Sequence, residues 1–587
     1  MTKEIQKSSS KYIVAVAFAA IAAALYLFWA FPYRAALGYR EEMQLFQTTG
    51  AYLDGLAARP AGISVYIGEF LTQFFNNFWI GAAVMAGILI LFLFLMRSII
   101  RVFAPAASKT IALLLAIVPL TALWLFLGNP DVTVGFSVAL IISLASVQLF
   151  VYDISDFGKC DSYVHMLAMT SFLYWIAGPV SIIFTLLITI YAFRTLPSFH
   201  AVIFPLASIL WLTANFLMWS PQLPYPISYQ LIGIGLLYKP DLLPVGQVVV
   251  ESLCVGVPLL SLAVARISGK IAVPSLAGLA IVAVIFCYPY SYDSAVYRLI
   301  DYDYLVRAND WDDILRYSDR HDPDLPLSVS ATNLALGMTG QLDARAFDYF
   351  QNGAEGLIPP FTKETLSSWT TGEVMFQLGL LNSAQRFYFE GMEAIPNYNK
   401  SVRAVKRLAE TAMIRGEYTL AGKYLKMLEN TIFYRNWARR NMELIKDPQA
   451  VAAHPLYGTL RNRMVDEDYL FSEGELDKTL GQLFIKDSSN SLAKQYLIVY
   501  PLLQRDLNKF GQYMGVVAES HLQYNPPLAQ QALAFMAMKN GQPIPQGAVS
   551  PVVEQSLRGF AQAWTSKNPD LIAQHRRTLY HYLISNE

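Results

Sequence analysis

The sequence predicts an all-α protein, a polytopic membrane bundle of about nine spans followed by a soluble α-solenoid of helical hairpins. Three observations carry that expectation. Charge breaks sharply near residue 290, apolar runs of membrane-crossing length precede the break, and a helical period with spaced turn glycines follows it. Residues 1–289 hold 14 Lys+Arg and 11 Asp+Glu, whereas 290–587 hold 30 and 33 in a similar length. Hydrocarbon excludes unpaired charge and water-facing surfaces need it, so the two parts read as having different solvents. The expected domains are therefore 1–289, transmembrane, and 290–587, soluble.

The first run, Tyr12 to Pro32, follows Lys3, Lys7 and Lys11. At ~20 residues it is long enough to span and longer than a secretory h-region, so it reads as a retained first span. Further apolar stretches lie near 78–96, 110–127, 133–151, 163–177, 179–193, 200–219, 247–265 and 271–287. Gly178-Pro179 could be a kink or a turn between two spans. Basic residues collect on the cytoplasmic side of short loops. Reading the pair as an external turn places Lys3, Arg97, Arg101, Lys109, Arg194, Arg266 and Lys270 all inside. The tail then emerges outside.

The loop at 33–77 is longer than most of the others and carries internal order. Ile63, Tyr66, Ile67, Phe70, Leu71, Phe74, Phe75 and Phe78 recur at helical spacing, opposite Ser64, Thr72, Gln73, Asn76 and Asn77. That pattern predicts a surface helix with its aromatic face in the acyl boundary. A shorter amphipathic stretch holds Met43, Leu45, Phe46, Tyr52, Leu53 and Leu56, with a turn at Ala57–Gly62 between the two. Ahead of both lie Arg40, Glu41 and Glu42. Ionised groups this close to hydrocarbon need solvent or a role. They read either as a salt bridge or an acidic helix start, or as a functional pair. A second external loop, 220–246, offers Tyr225, Tyr229 and Lys239, which could cover a cavity and meet a lipid head group, or form an aromatic belt.

A first span followed by a long external loop with two surface helices and an acidic pair resembles the GT-C superfamily of membrane glycosyltransferases. The resemblance covers about residues 12–290. It implies a sugar donor carried on polyprenyl phosphate or diphosphate and a cavity open to the outer face of a bacterial inner membrane. Position by position it reaches only Glu41 and Glu42, one of which would be the general base. Residues 12–290 carry no clear Asp-x-Asp form, so a divalent cation as cofactor stays open. Arg40, Arg59 and Lys239 are the cations on the expected outer face that could hold phosphate, with Tyr225 and Tyr229 beside the head group.

The charges of the whole chain sum to zero, which leaves no electrostatic footprint for nucleic acid. Cys160, Cys254 and Cys287 lie in or beside apolar runs, without metal-site spacing. In the tail, Gly372, Met375, Gly379, Ala384, Tyr388, Gly391 and Pro396 resemble a tetratricopeptide-type unit. Leu408, Ala412, Gly416, Tyr418, Ala421, Leu425 and Leu428 give a second, and Asn333, Gly340, Leu342 and Tyr349 an earlier one. Such an array would bind a protein or glycan partner on its concave face. The alternative to an enzyme is a membrane-anchored scaffold for envelope assembly that docks partners through this array.

Overall fold

The computed structural model describes residues 2–153, 159–233, 237, 245–264, 271, 273–278, 281–282, 285, 293–395, 400–465, 475–521, 523–544 and 547–585. Among them every regular element is helical. Lys239 and seven of the 17 residues of the expected last span, 271–287, lie outside the described residues.

The chain forms two compact units. The first is Met1–Ser294 together with Pro396–Val402 and Asn430–Arg435, and the second holds the remaining residues from Ala295 onward. A boundary close to the charge break is present, but two short segments of the charged half belong to the first unit.

The first unit begins with α1 (Thr2–Ala30), which gives way to α2 (Arg34–Glu42) across Phe31-Pro32-Tyr33. The two helices meet at 68°. Pro32 explains the break, because it has no N–H to give and its ring crowds the preceding turn. The loop then forms α3 (Gly50–Ala57) and α4 (Gly62–Thr72). The spans α5 (Phe78–Phe103), α6 (Lys109–Gly128), α7 (Val134–Asp153), α8 (Lys159–Ala177), α9 (Ile182–Thr195) and α10 (Ser198–Trp219) follow. Then come the short α11 (Ile227–Ile232) and the span α12 (Val245–Val264).

Six described helical runs are long and apolar enough to cross a membrane, or seven if the bent pair α1–α2 counts as one span. About nine were expected. Part of the difference is that Asp161–Thr195 forms one unbroken helical run of 35 residues. That run nevertheless folds back on itself. His165 and Phe184 both lie against the Phe150 ring, at 5.6 and 5.9 Å, which keeps their rings within about 12 Å of each other. A straight helix would separate these two positions by about 28 Å. The neighbours on α10 agree. Tyr163 meets His200 and Trp211 bonds Ser171, so α8 runs parallel to α10, while Thr189 on α9 meets Ser208. Gly178, at φ +58°, makes the turn, where a side chain would be strained and its Cβ would sit 2.9 Å from that of Ala61.

The expected surface helix from Ile63 to Phe78 stops at Thr72, and a 3₁₀ turn over Gln73–Asn76 leads into α5. The faces of α4 are inverted relative to a soluble helix. Ser64, Gly68 and Thr72 are buried, whereas Ile67 and Phe70 are 36% and 38% exposed. A helix bordering lipid is expected to do this, with small residues against protein and aromatics outward. Gly68 makes the approach possible, since a Cβ there would lie 2.4 Å from the backbone N of Gly135 on α7. Gly68→Ala should force α4 off α7 at a cost of about 1–3 kcal/mol. Detergent-solubilised protein should show this as a lowered Tm and faster hydrogen exchange over 62–72.

In the second unit the turn glycines Gly340, Gly379 and Gly416 all adopt positive φ, at +74°, +95° and +82°. Each lies just beyond a helix end, at Met338, Leu378 and Arg415. There the left-handed conformation lets the chain reverse. Close packing of the Thr365–Leu378 and Leu381–Glu393 helices rests on Gly372 and Gly391, whose added Cβ atoms would meet Tyr388 at 3.0 Å and Trp369 at 2.8 Å.

Candidate active site in the first loop

Glu41 and Glu42 end α2, rather than beginning a helix. The last turn of a helix carries the negative end of its dipole, so carboxylates are disfavoured there. They are also buried, Glu41 at 0% and Glu42 at 2% exposure. The acidic helix start is thereby excluded, and the pair bears both a dipole and a desolvation cost.

Arg40 is buried too, and its guanidinium donates to the carbonyls of Leu127 and, at 2.8 Å, Asn129. These carbonyls end α6, where backbone acceptors lack helical partners, so Arg40 caps that helix and offsets its dipole. Its charge also lies 5.5 Å from the centre of the Trp29 ring. Arg40, expected to hold phosphate, ties α2 to the end of α6 through these bonds. Arg194 does the same for α5 through the Phe103 carbonyl at 2.6 Å.

Around Glu41 the chain brings in residues that are distant in sequence. The Tyr434 hydroxyl donates to Glu41 Oε2 at 3.0 Å, and Asn76 Nδ2 donates to the Tyr434 oxygen at 3.3 Å. Thr48 gives its N–H to the Asn430 carbonyl at 2.9 Å, and the Val402 N–H reaches the Gln44 carbonyl at 3.0 Å. All of these residues belong to the first unit.

A further loop carboxylate, Glu69, lies on α4. Gln44, two residues past Glu42, donates to the Glu69 backbone carbonyl at 2.7 Å. The Tyr52 hydroxyl donates to Glu69 Oε2. Burial pushes the Glu69 carboxyl up to about 7, against a smaller downward pull from the Tyr52 hydrogen bond and from Arg59. Tyr52 is itself raised, by burial and then by Glu69. Rings stack alongside: Phe46 meets Tyr52, Tyr66 and Phe70 at 5.5, 5.1 and 5.8 Å. Glu69 was missed because the polar side of the helix was read from Ser64, Thr72, Gln73, Asn76 and Asn77 alone; a lone acid in an otherwise uncharged helix was the available signal. Arg59, expected near phosphate, acts here on Glu69.

The sign of this shift is testable. A raised carboxyl favours its protonated form in the fold, so its stabilising contribution is full below about 4.5 and lost as pH rises through about 7. Protection of the 50–72 amides, taken as exchange relative to the intrinsic base-catalysed rate at each pH, should therefore fall between pH 4.5 and 7.5. Glu69→Gln should abolish that dependence.

Tyr225 and Tyr229 sit in the second loop. Gln230 Nε2 holds the Tyr225 carbonyl at 2.6 Å, and Tyr229 is 37% exposed. Among the described residues no group of three or more His, Cys, Asp or Glu is placed to hold a metal ion. An apolar recess of about 370 Å³ opens between α1 and α6, lined by residues including Leu25, Phe28, Leu120 and Trp124. Phe28 packs on Trp124 and Trp29, and Trp29 lies under Arg40, so one aromatic path runs from recess to loop.

Fold and site define a polytopic, all-helical membrane protein with buried carboxylates in its first loop. Comparison with curated proteins and with solved structures finds no match. The chain belongs to a family described as "Family of unknown function (DUF6057)", whose model matches residues 8–586.

Proposed function

We propose that this protein is a membrane glycosyltransferase resembling the GT-C superfamily, taking its sugar from a polyprenyl-phosphate carrier on the outer face of a bacterial inner membrane. The observation that carries the proposal is the complete burial of Glu41 at the unfavourable end of α2. A carboxyl group kept at such a cost, beside Glu42, supports a role in chemistry over one in packing.

In this reading Glu41 takes the proton from the acceptor hydroxyl, with Glu42 as its acidic neighbour. The acceptor oxygen bonds to the anomeric carbon as the bond from that carbon to the carrier's phosphate oxygen breaks. Arg59 and Lys239 are the cations assigned to the departing phosphate, and Tyr225 and Tyr229 the cover over the head group. The recess between α1 and α6 would take the carrier's hydrocarbon. No step is routed through a metal. The helical pairs of the second unit form the solenoid in this proposal and bind the acceptor, whether protein or glycan, outside the membrane.

Two experiments test it. Cells carrying Glu41→Gln or Glu42→Gln should lose one class of envelope glycan while the protein is still made. An unchanged glycan profile in both would hand the function to an anchored scaffold. A reporter fused after residue 300 should be active only outside the cytoplasm.

A further inference from the structure

Among the described spans, Glu4, Asp153 and Asp161 stand at or near helix ends, whereas Glu251 lies inside α12, six residues past Val245. At helical rise that is a depth of about 9 Å. An acid so placed in a span calls for a named partner. Its partner is Gln247, one turn back on the same helix, whose Nε2 donates to Glu251 Oε1 at 2.6 Å. The same nitrogen donates to the Ile232 carbonyl at 2.7 Å, at the end of α11, where carbonyls lack helical donors. Two acceptors therefore fix which way the amide faces. Gln247 is 1% exposed, and its Oε1 is buried with no donor among the described residues. Glu251 makes no ion pair among them.

A carboxylate offers only acceptors, so it meets the amide N–H and leaves the amide oxygen stranded, whereas a carboxylic acid meets both. The charged and titratable groups on the helices packed against α12 are Arg97 and Arg101 of α5, Lys109 of α6, and Tyr191 and Arg194 of α9. They gather toward the opposite end of the bundle. A Cβ on Gly246 would meet the Phe126 ring at 2.4 Å, so α12 starts where α6 ends, and Lys109 is about 25 Å further along α6. Arg194 bonds the Phe103 carbonyl that closes α5. Nearer the start of α12, α11 carries Tyr229, and Arg40 meets α6 at the Leu127 and Asn129 carbonyls.

We propose that Glu251 and Gln247 form a proton-binding site within the membrane. The proton rests on Glu251 Oε2 and is donated to Gln247 Oε1, while Glu251 Oε1 accepts from Nε2. Acid and amide then close a two-bond pair, which through Ile232 also holds the end of α11 to α12. The site is independent of Glu41 and of glycosyl transfer.

Full-length protein in lipid nanodiscs at pH 7 is compared with Glu251→Gln, whose amide reproduces both bonds, by infrared difference spectroscopy. The difference should contain the carbonyl stretch of a protonated carboxylic acid. Gln247→Leu should keep that band and move it to higher frequency, as lost hydrogen bonding does. Dicyclohexylcarbodiimide, which modifies protonated carboxyls in apolar surroundings, should label Glu251 of the wild type at the same pH. Replacing choline chloride with sodium chloride should leave the rate unchanged. If Glu251→Gln fails to fold, the wild-type adduct and its indifference to sodium decide. A band without an adduct sustains the proposal, because the band needs no reagent to enter. Absence of both means an ionised Glu251, held by a cation such as Lys239 or by water, and overturns it. Labelling slowed by sodium makes this a metal-ion site and overturns the proton. A band that Gln247→Leu does not move overturns the pairing.

Discussion

Glu41→Gln should lower glycosyl transfer by about 10²- to 10⁴-fold, the usual worth of a positioned acid or base. The amide keeps the shape of the carboxylate and still accepts from Tyr434, so the loop should stay assembled. It also keeps the hydrogen bond from Tyr434 at a site with 0% exposure, so Tm should change far less than activity. That contrast separates chemistry from folding. Turnover of a polyprenyl-phosphate-linked hexose by solubilised protein, read beside thermal unfolding, makes the check. A loss of activity matched by a loss of Tm would mean that Glu41 merely holds the loop together.

The largest effect on stability should come from Arg407→Met. Arg407 Nη2 reaches both oxygens of Glu373, at 2.9 and 2.8 Å, and Nη1 bonds Glu410 at 2.6 Å. Glu373 is 1% exposed and also accepts from Tyr388 and Gln377, each at 2.8 Å. Burial alone would raise the Glu373 carboxyl, but Arg407 and these donors hold it below its ordinary value. Removing the arginine strands that charge at a cost of about 3–5 kcal/mol. Hydrogen exchange across 365–378 and 402–415 should accelerate accordingly. Glu373→Leu with Arg407→Met should recover part of the loss, because, of the two carboxylates that Arg407 holds, only Glu410, which Tyr457 also reaches at 3.5 Å, is then left without its arginine. A depressed carboxyl stabilises above its unfolded value and loses that contribution as pH falls through its folded one. The same helices should therefore loosen in acid in the wild type, and less so in the double variant.

Much of the fold was legible because the signals were local. Apolar runs gave the spans, and the turn at Gly178 was marked by its own Gly-Pro pair. Gly340, Gly379 and Gly416 announced reversals that their positive φ values bear out. The acidic pair was visible as well, but its position at the end of α2 was not, since Pro32 moved the helix start to Arg34. That Arg40 also reaches carbonyls 87 and 89 residues away had no local signal. Tyr434 lies 393 residues from Glu41, and no periodicity announces a pairing of that range.

The two inserted stretches, Pro396–Val402 and Asn430–Arg435, mean that the polypeptide passes from one body to the other five times. Scissors at the obvious seam near residue 290 would therefore amputate pieces of the membrane half and leave them dangling from the other fragment. Neither product should fold as it does in the intact chain. Co-expressing the halves should reconstitute the protein only if the dangling pieces find their berth again. Dissection of this protein by truncation will report on missing threads before it reports on missing functions.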